Sequence, residues 1–195
     1  MLEHGGRLRQ AAAHYGIALQ EWLDLSTGLA PYDWPVPALE PAVWSRLPEE
    51  NDGLEALAAR YYGAAHALPV AGSQAAIQAL PALFPRGRVG IIEPCYAEHR
   101  QAWQRAGYQV VGLDVDRAGD QLVGLDLLVV VNPNNPTGQL VDIETLLGWH
   151  EQLYRHGGYL VVDEAFADLA PEYSLAAFSD RPGLIVLRSL GKFFG

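Results

Sequence analysis

The stretch LLVVVNPNNPTG, residues 127–138, decides the fold class. Its first five residues are all apolar and end on three valines, a pattern that predicts a strand buried on both faces. The polar run NPNNPTG follows at once, and Asn, Pro and Gly are the residues that end strands and form turns. Because a strand buried on both faces needs helices above and below it, this stretch predicts a parallel sheet within an α/β domain.

The same alternation of short apolar runs and helical patterns extends outward in both directions. Four prolines between positions 31 and 41 forbid long regular elements, so residues 1–45 are predicted to be an irregular arm and residues 46–195 a three-layer α/β domain with a mostly parallel sheet. Predicted helices cover residues 7–14, 53–62, 73–83, 98–106 and 143–155. Predicted strands cover residues 89–92, 110–115, 127–131, 159–162 and 184–187, with a short extended piece over 68–71.

Composition limits the classes of function. The chain has 195 residues, with 13 basic against 23 acidic side chains and a net charge of −10, so non-specific binding to nucleic acid or to an anionic membrane is not expected. A single cysteine excludes an intrachain disulfide and a cysteine-rich metal site, and no metal site is predicted. The first ten residues contain no apolar segment of a secretory signal. We expect a cytoplasmic protein.

Chemically useful side chains follow the predicted strands. In open parallel sheets ligands bind at the carboxyl ends of the strands, which makes these positions the candidate site. They comprise a helix start, an aromatic ring, an amide, a carboxylate and an amine, and the amine belongs to the only lysine of the chain. In chain order they are Gly72-Ser73-Gln74, Tyr96, Asn135, Asp163, Ser189 and Lys192.

A pyridoxal 5'-phosphate site requires these groups. Gly72 permits close approach of the backbone, and the free N–H groups of Ser73 and Gln74 at a helix start would hold a phosphate. A carboxylate facing the pyridine nitrogen keeps that nitrogen protonated, and a lysine amine binds the cofactor's aldehyde. Each group also has an ordinary interpretation: Ser73 as a helix cap, Tyr96 as core packing, or Lys192 as a surface lysine.

The motifs NPNNPTG, DEAF and SLGK, in this order, resemble the class I/II aminotransferase superfamily of pyridoxal-phosphate enzymes, whose fold is fold type I. The resemblance implies that Lys192 is the Schiff-base lysine, that Asp163 partners the pyridine nitrogen and that Asn135 donates to the 3-oxygen. It also implies that Tyr96 stacks on the ring. The implied phosphate ligands are Ser73, Gln74 and Ser189.

Within the superfamily the chain is most similar to the threonine-phosphate decarboxylases of cobalamin biosynthesis. The stretches HGG (residues 4–6), LDLSTG (23–28) and VAGSQAAIQ (70–78) carry this resemblance, together with phenylalanine in DEAF. It implies decarboxylation of O-phospho-L-threonine to (R)-1-aminopropan-2-yl phosphate, with His4 as a ligand of the substrate's phosphate, and a homodimer. His4 could equally be a mobile residue near the chain terminus. The alternative activity is that of an aminotransferase such as histidinol-phosphate aminotransferase.

Two positions depart from the wider superfamily, and the chain is short. Most of its aminotransferases have tyrosine in place of Phe166, and many members have tyrosine in place of Leu47. Phe166 cannot donate to the 3-oxygen, which favours the decarboxylase branch. Family members continue well beyond the lysine into a C-terminal small domain. We therefore expect an incomplete large domain without that small domain, and a non-catalytic fragment is a third possibility.

Overall fold

A parallel five-stranded sheet forms the centre of the molecule. The computed structural model describes residues 4–32, 34–47, 49 and 51–195. Its strands are β1 (Arg88–Ile92), β2 (Gln109–Leu113), β3 (Leu127–Val131), β4 (Tyr159–Asp163) and β5 (Leu184–Leu187). They are ordered β2-β1-β3-β4-β5, and each neighbouring pair is parallel. The α/β class and the parallel sheet predicted from the sequence are confirmed.

Five α-helices in the described part of the chain accompany the sheet, close to their predicted positions. They are α1 (Leu8–Tyr15), α2 (Leu54–Tyr62), α3 (Ser73–Ala79), α4 (Glu98–Arg105) and α5 (Ile143–Tyr154). Asp142 caps α5 by accepting a hydrogen bond from the Thr145 N–H at 2.8 Å. The helix predicted over 73–83 is shorter as an α-helix, because Pro81 has no N–H to continue it. The chain goes on as a 3-10 turn over Leu80–Ala82.

The sheet separates two apolar cores, which gives the three layers. One core lies under α5 and is built around Leu128, Val130, Leu146, Leu153 and Leu160. The other lies under α3 and α4, and its buried side chains include Ile77, Ile91, Trp103, Val129 and Val161. Neighbouring residues of one strand therefore point to opposite cores, as the two-residue period of a strand requires.

The predicted extended piece over residues 68–71 is wrong as a strand. These residues have no regular structure, and Leu68 is 79% exposed. A strand exists only where a neighbour accepts and donates its backbone hydrogen bonds. Among the described residues, each strand pairs only with the others of the five-stranded sheet. The segment still leads into α3, so the helix start that follows it is retained.

The strand order creates a crevice at one point of the sheet. After β1 the chain forms β2 on one side of β1 and then returns to form β3 on the other side. The loops that follow β1 and β3 therefore leave in opposite directions, which is where open α/β sheets bind ligands. Within the described part of the chain, no helix combines the length and the apolar character that crossing a membrane requires.

Candidate active site

The carboxyl ends of β3, β4 and β5 lie level with one another. Asp163 pairs with Val131 on one side and with Leu187 on the other. The N–H of Asn132 donates to the Asp163 carbonyl at 2.8 Å, and the N–H of Glu164 donates to the Leu187 carbonyl at 2.9 Å. The predicted site residues that follow these three strands are therefore brought to one edge of the sheet.

Asp163 is the buried carboxylate at this edge. One of its oxygens, Oδ2, lies 2.8 Å from Nε2 of His99, and the other accepts a hydrogen bond from the Ala165 N–H at 3.0 Å. Both side chains of the Asp163–His99 pair are at most 4% exposed. An ionised carboxylate only accepts hydrogen bonds, so Nε2 of His99 is the donor of this contact whenever Asp163 carries its charge. The pair fixes the orientation of the carboxylate.

Tyr96 lies in the loop after β1, one turn before His99. The two rings meet edge to face with centroids 6.3 Å apart. Partial burial raises the pKa of Tyr96, and the nearby carboxylates of Glu98 and Asp163 raise it further, so the phenol stays neutral. Burial is also the main cause that raises the pKa of Cys95 to about 12. Cys95 is therefore an unreactive thiol beside the ring.

The NPNNPTG turn after β3 closes the other side of the crevice. Its residue Asn134 donates from Nδ2 to the Pro94 carbonyl and to Thr137 Oγ1, each at 2.8 Å. This contact ties the loop after β3 to the loop after β1. Asn135, the predicted donor to the 3-oxygen, is the next residue and is partly buried. Asn135 therefore lies next to the residue that ties the two loops together.

The start of α3 is open. Gly72 has φ +83°, and a Cβ added there would meet nothing within 4 Å. No side chain caps this helix, and the N–H groups of Ser73 and Gln74 have no partner within the described residues. The side chain of Gln74 is occupied, because its amide donates to Glu98 Oε2 at 2.9 Å. The backbone N–H of Gln74 is free for a phosphate, whereas its side chain is turned toward Glu98.

Lys192 follows β5 and faces Phe166. Its Nζ lies 5.6 Å from the centre of the Phe166 ring. Gly28 also lies against that ring, because a Cβ added there would come within 2.9 Å of it. The carbonyl of Lys192 accepts a hydrogen bond from the Ala30 N–H at 2.8 Å. The N-terminal arm therefore runs along the lysine segment, and Ser189 lies two residues beyond the end of β5.

His4 lies beside Tyr96, at the far end of the arm from Lys192. The ring centroids of His4 and Tyr96 are 5.9 Å apart. Nε2 of His4 is 2.9 Å from Glu98 Oε1, although 94 positions separate the two residues. The sequence predicted His4 as a ligand but gave no sign of Glu98 or His99, whose importance depends on contacts across the fold.

The chemistry of these side chains fits pyridoxal phosphate. Asp163 offers a buried, oriented carboxylate to the pyridine nitrogen of the cofactor, and Tyr96 offers an aromatic ring. The open helix start at Gly72 fits a phosphate, and the one lysine of the chain fits the aldehyde. Phe166 is in contact with the lysine but offers no donor.

Comparison with known proteins gives the family. The profile for aminotransferase class I and II matches residues 48–195. The chain belongs to this family. The threonine-phosphate decarboxylase of Pseudomonas aeruginosa is 60% identical over 195 residues, which cover 100% of this chain and 59% of that protein. A threonine-phosphate decarboxylase of a Sinorhizobium species is 43% identical over 198 residues, covering 98% of this chain and 59% of that protein.

Solved structures of the family share the fold. The histidinol-phosphate aminotransferase of Clostridium acetobutylicum is 25% identical, with a TM-score of 0.57 over 64% of this chain and 40% of that chain. The present chain spans 59% of the length of the two curated relatives. Membership of the family confirms the resemblance stated from the motifs, while the role of each site residue stays a prediction.

Proposed function

We propose that the protein is a pyridoxal-phosphate-dependent decarboxylase that converts O-phospho-L-threonine to (R)-1-aminopropan-2-yl phosphate in cobalamin biosynthesis. The observation that carries this proposal is 60% identity along the whole chain to a threonine-phosphate decarboxylase. The chemistry of the residues supports it, because the carboxylate, aromatic ring, helix start and lysine that the cofactor needs are all present. When bound, the cofactor supplies an electron sink for the electron pair that departing CO2 leaves behind.

Each residue of the candidate site has a proposed role. Asp163, oriented by His99 at 2.8 Å, would face the ring nitrogen and keep it protonated. Lys192 would hold the cofactor before substrate arrives, and its Nζ would afterwards return a proton to the substrate carbon that lost CO2. Asn135 would donate to the 3-oxygen, since Phe166 has no donor to offer. His4 would bind the phosphate of the substrate.

A cytoplasmic homodimer is part of the same proposal. The arm exposes large apolar side chains, with Leu25 81% and Trp44 76% exposed. Exposed apolar surface of this kind commonly marks a protein–protein interface. Leu47, which stands where many relatives have tyrosine, is also exposed on this arm.

The first experiment maps the cofactor. The purified protein is mixed with pyridoxal phosphate and reduced with borohydride, and the adduct is located by mass spectrometry. We expect it on Lys192 at one cofactor per chain, and none on that residue in Lys192→Arg. Because the chain has one lysine, the N-terminal amine is the other primary amine to distinguish. A folded protein without the Lys192 adduct would contradict the cofactor assignment.

The second experiment separates the two activities. An aminotransferase is the alternative, and the fold shared with a histidinol-phosphate aminotransferase supports it. The loaded protein is supplied with O-phospho-L-threonine, with and without 2-oxoglutarate. Release of CO2 that needs no 2-oxoglutarate supports the decarboxylase, whereas amino-group transfer without CO2 release supports the aminotransferase. Neither reaction in a folded, loaded protein supports a non-catalytic fragment.

A further inference from the structure

Glu98 joins three separate segments of the chain beside the candidate site. It is the first residue of α4 and its side chain is 12% exposed. Oε1 lies 2.9 Å from His4 Nε2 of the arm. Oε2 accepts hydrogen bonds from Gln74 Nε2 at 2.9 Å and from Gln78 Nε2 at 3.3 Å, both on α3. The carboxylate therefore links the arm, α3 and α4.

His4 is the titratable partner of Glu98. The two glutamine amides are neutral donors, and the N-terminus of α4 adds only a partial positive charge. Among the salt-bridge contacts of the described residues, the one that includes Glu98 is formed with His4. A carboxylate forms a stronger hydrogen bond with a charged donor than with a neutral one, so Glu98 suits an imidazole that also binds an anion.

The geometry leaves one nitrogen of His4 for a ligand. Because Glu98 accepts the hydrogen of Nε2, Nδ1 is the nitrogen that remains, and it has no partner within the described residues. The imidazole is half exposed, with a side-chain exposure of 47%. A phosphate that binds Nδ1 requires a hydrogen on that nitrogen, so the ring would bind it as a charge-assisted donor. The site would lie near Tyr96, whose ring centroid is 5.9 Å from that of His4.

Close contacts within the arm hold the backbone next to His4. A Cβ at Gly5 would come within 1.8 Å of the Ser26 carbonyl oxygen, so only glycine permits this approach. The next N–H, that of Gly6, donates to Ser26 Oγ at 2.8 Å. These contacts fix the backbone next to His4, and Glu98 fixes the ring.

We propose that Glu98 is a positioning residue for phosphate recognition: its carboxylate holds His4 through Nε2 so that Nδ1 faces the phosphate group of the substrate. The inference rests on the proposed function and deepens it. The chemistry recognised is a phosphate monoester dianion, and the cofactor carries such a group as well as the substrate. The experiment therefore measures binding of the substrate and binding of the cofactor separately.

The test compares Glu98→Gln with Glu144→Gln. Glu144 is an exposed carboxylate in the first turn of α5, so its variant makes the same change of charge at a helix start away from the site. Binding of O-phospho-L-threonine and of L-threonine to the loaded protein is followed by the cofactor's absorbance, and binding of pyridoxal phosphate is titrated separately.

We expect Glu98→Gln to raise the dissociation constant of O-phospho-L-threonine about tenfold, the size of one lost charge-assisted contact. The constants for L-threonine and for pyridoxal phosphate should stay within about twofold, as should all three constants in Glu144→Gln. Equal weakening of the two amino acids would overturn the inference, as would weakening confined to the cofactor. An unchanged constant for O-phospho-L-threonine would overturn it too.

A second variant and a spectrum keep the test decisive if Glu98→Gln folds poorly. His4→Gln alters an exposed residue and should weaken O-phospho-L-threonine binding equally, and Glu98→Gln should add nothing in that background.

In the cofactor-free protein, side-chain 15N resonances of His4 should move on addition of inorganic phosphate and should move less in Glu98→Gln. This readout needs no adduct on Lys192, so failure of the proposed function and failure of this inference are distinguishable. Additive effects of the two variants, or His4 resonances indifferent to phosphate, would overturn the role of Glu98.

Discussion

Asp163 and Glu164 are neighbours at the end of β4, carry the same charge and are both buried, yet they are held in different ways. Asp163 is held by an imidazole and one backbone N–H. Glu164 points to the opposite side and accepts from the Leu175 N–H at 2.6 Å, from Ser174 Oγ and from Arg188 Nη1 at 2.9 Å. The guanidinium of Arg188 also donates to Asp168 at 2.8 Å and lies 4.6 Å from the centre of the Tyr62 ring.

The difference assigns different roles to the two carboxylates. A carboxylate with a permanent cation and several donors is fully compensated, which is the arrangement of a structural ion pair. A carboxylate oriented by one histidine retains acceptor capacity toward the edge of the sheet, where a cofactor nitrogen would approach. We therefore expect substitutions on the Glu164 side to act on stability and those on the Asp163 side to act on cofactor binding.

The largest effect should come from Glu164→Ala. This change removes one of the two carboxylates that pair with Arg188, whose side chain is 11% exposed, and it leaves the Leu175 N–H without its acceptor. We expect the free energy of unfolding to fall by about 3–5 kcal/mol, measured by urea denaturation. The matched control is Glu172→Ala, at an exposed carboxylate of the same loop region, which should stay within about 0.5 kcal/mol. A small loss of unfolding free energy in Glu164→Ala would mean that the contacts of Glu164 contribute little to stability.

Asp163→Asn should reduce cofactor binding more than it reduces stability. The amide can still accept from Ala165, so we expect a loss of stability of only about 1–2 kcal/mol. The amide does not carry the charge that keeps a pyridine nitrogen protonated, so pyridoxal phosphate should bind more weakly, as measured by absorbance titration. His99→Asn should weaken binding in the same direction because the carboxylate loses its orientation. Glu164→Gln is the control, and equal weakening in that variant would remove the distinction between the two sides.

The smallest expected effect concerns the rate at which the Cys95 thiol is alkylated. The pKa of its thiol is about 12, raised chiefly by burial and then by the carboxylates of Glu93 and Asp163. At pH 9 only about one thiol in a thousand is therefore ionised in the folded protein, whereas an ordinary thiol is largely ionised there. Alkylation by iodoacetamide should be slow in the native protein and fast after unfolding in urea.

The same thiol also reports on the two carboxylates. Asp163→Asn removes a negative charge that raises the pKa of Cys95, so the alkylation rate at pH 9 should increase. Glu164→Gln should leave the rate unchanged, because Glu164 is not among the groups that shift this pKa. A rate that responds equally to both variants would show that the thiol senses altered packing and not the charge of Asp163.

Much of the fold could be predicted because the strands are short and apolar on both faces. The predicted bounds of the strands over 127–131 and 184–187 agree with the structure, and the others differ by one or two residues at an end. The segment over 68–71 was misassigned because its apolar residues imitate a strand. Whether such a segment joins a sheet depends on a hydrogen-bonding neighbour, which no local pattern reveals.

The sequence by itself determined the α/β class, the parallel sheet and the family. Local patterns carry this information: valine-rich strands, turn residues at their ends, and the motifs around Asn135, Asp163 and Lys192. Only the tertiary structure decided which groups support the site, because His99 meets Asp163 from 64 positions away and His4 meets Glu98 from 94. A side chain's hydrogen-bond partners and burial are set by how distant segments pack, so they become visible only after the chain has folded.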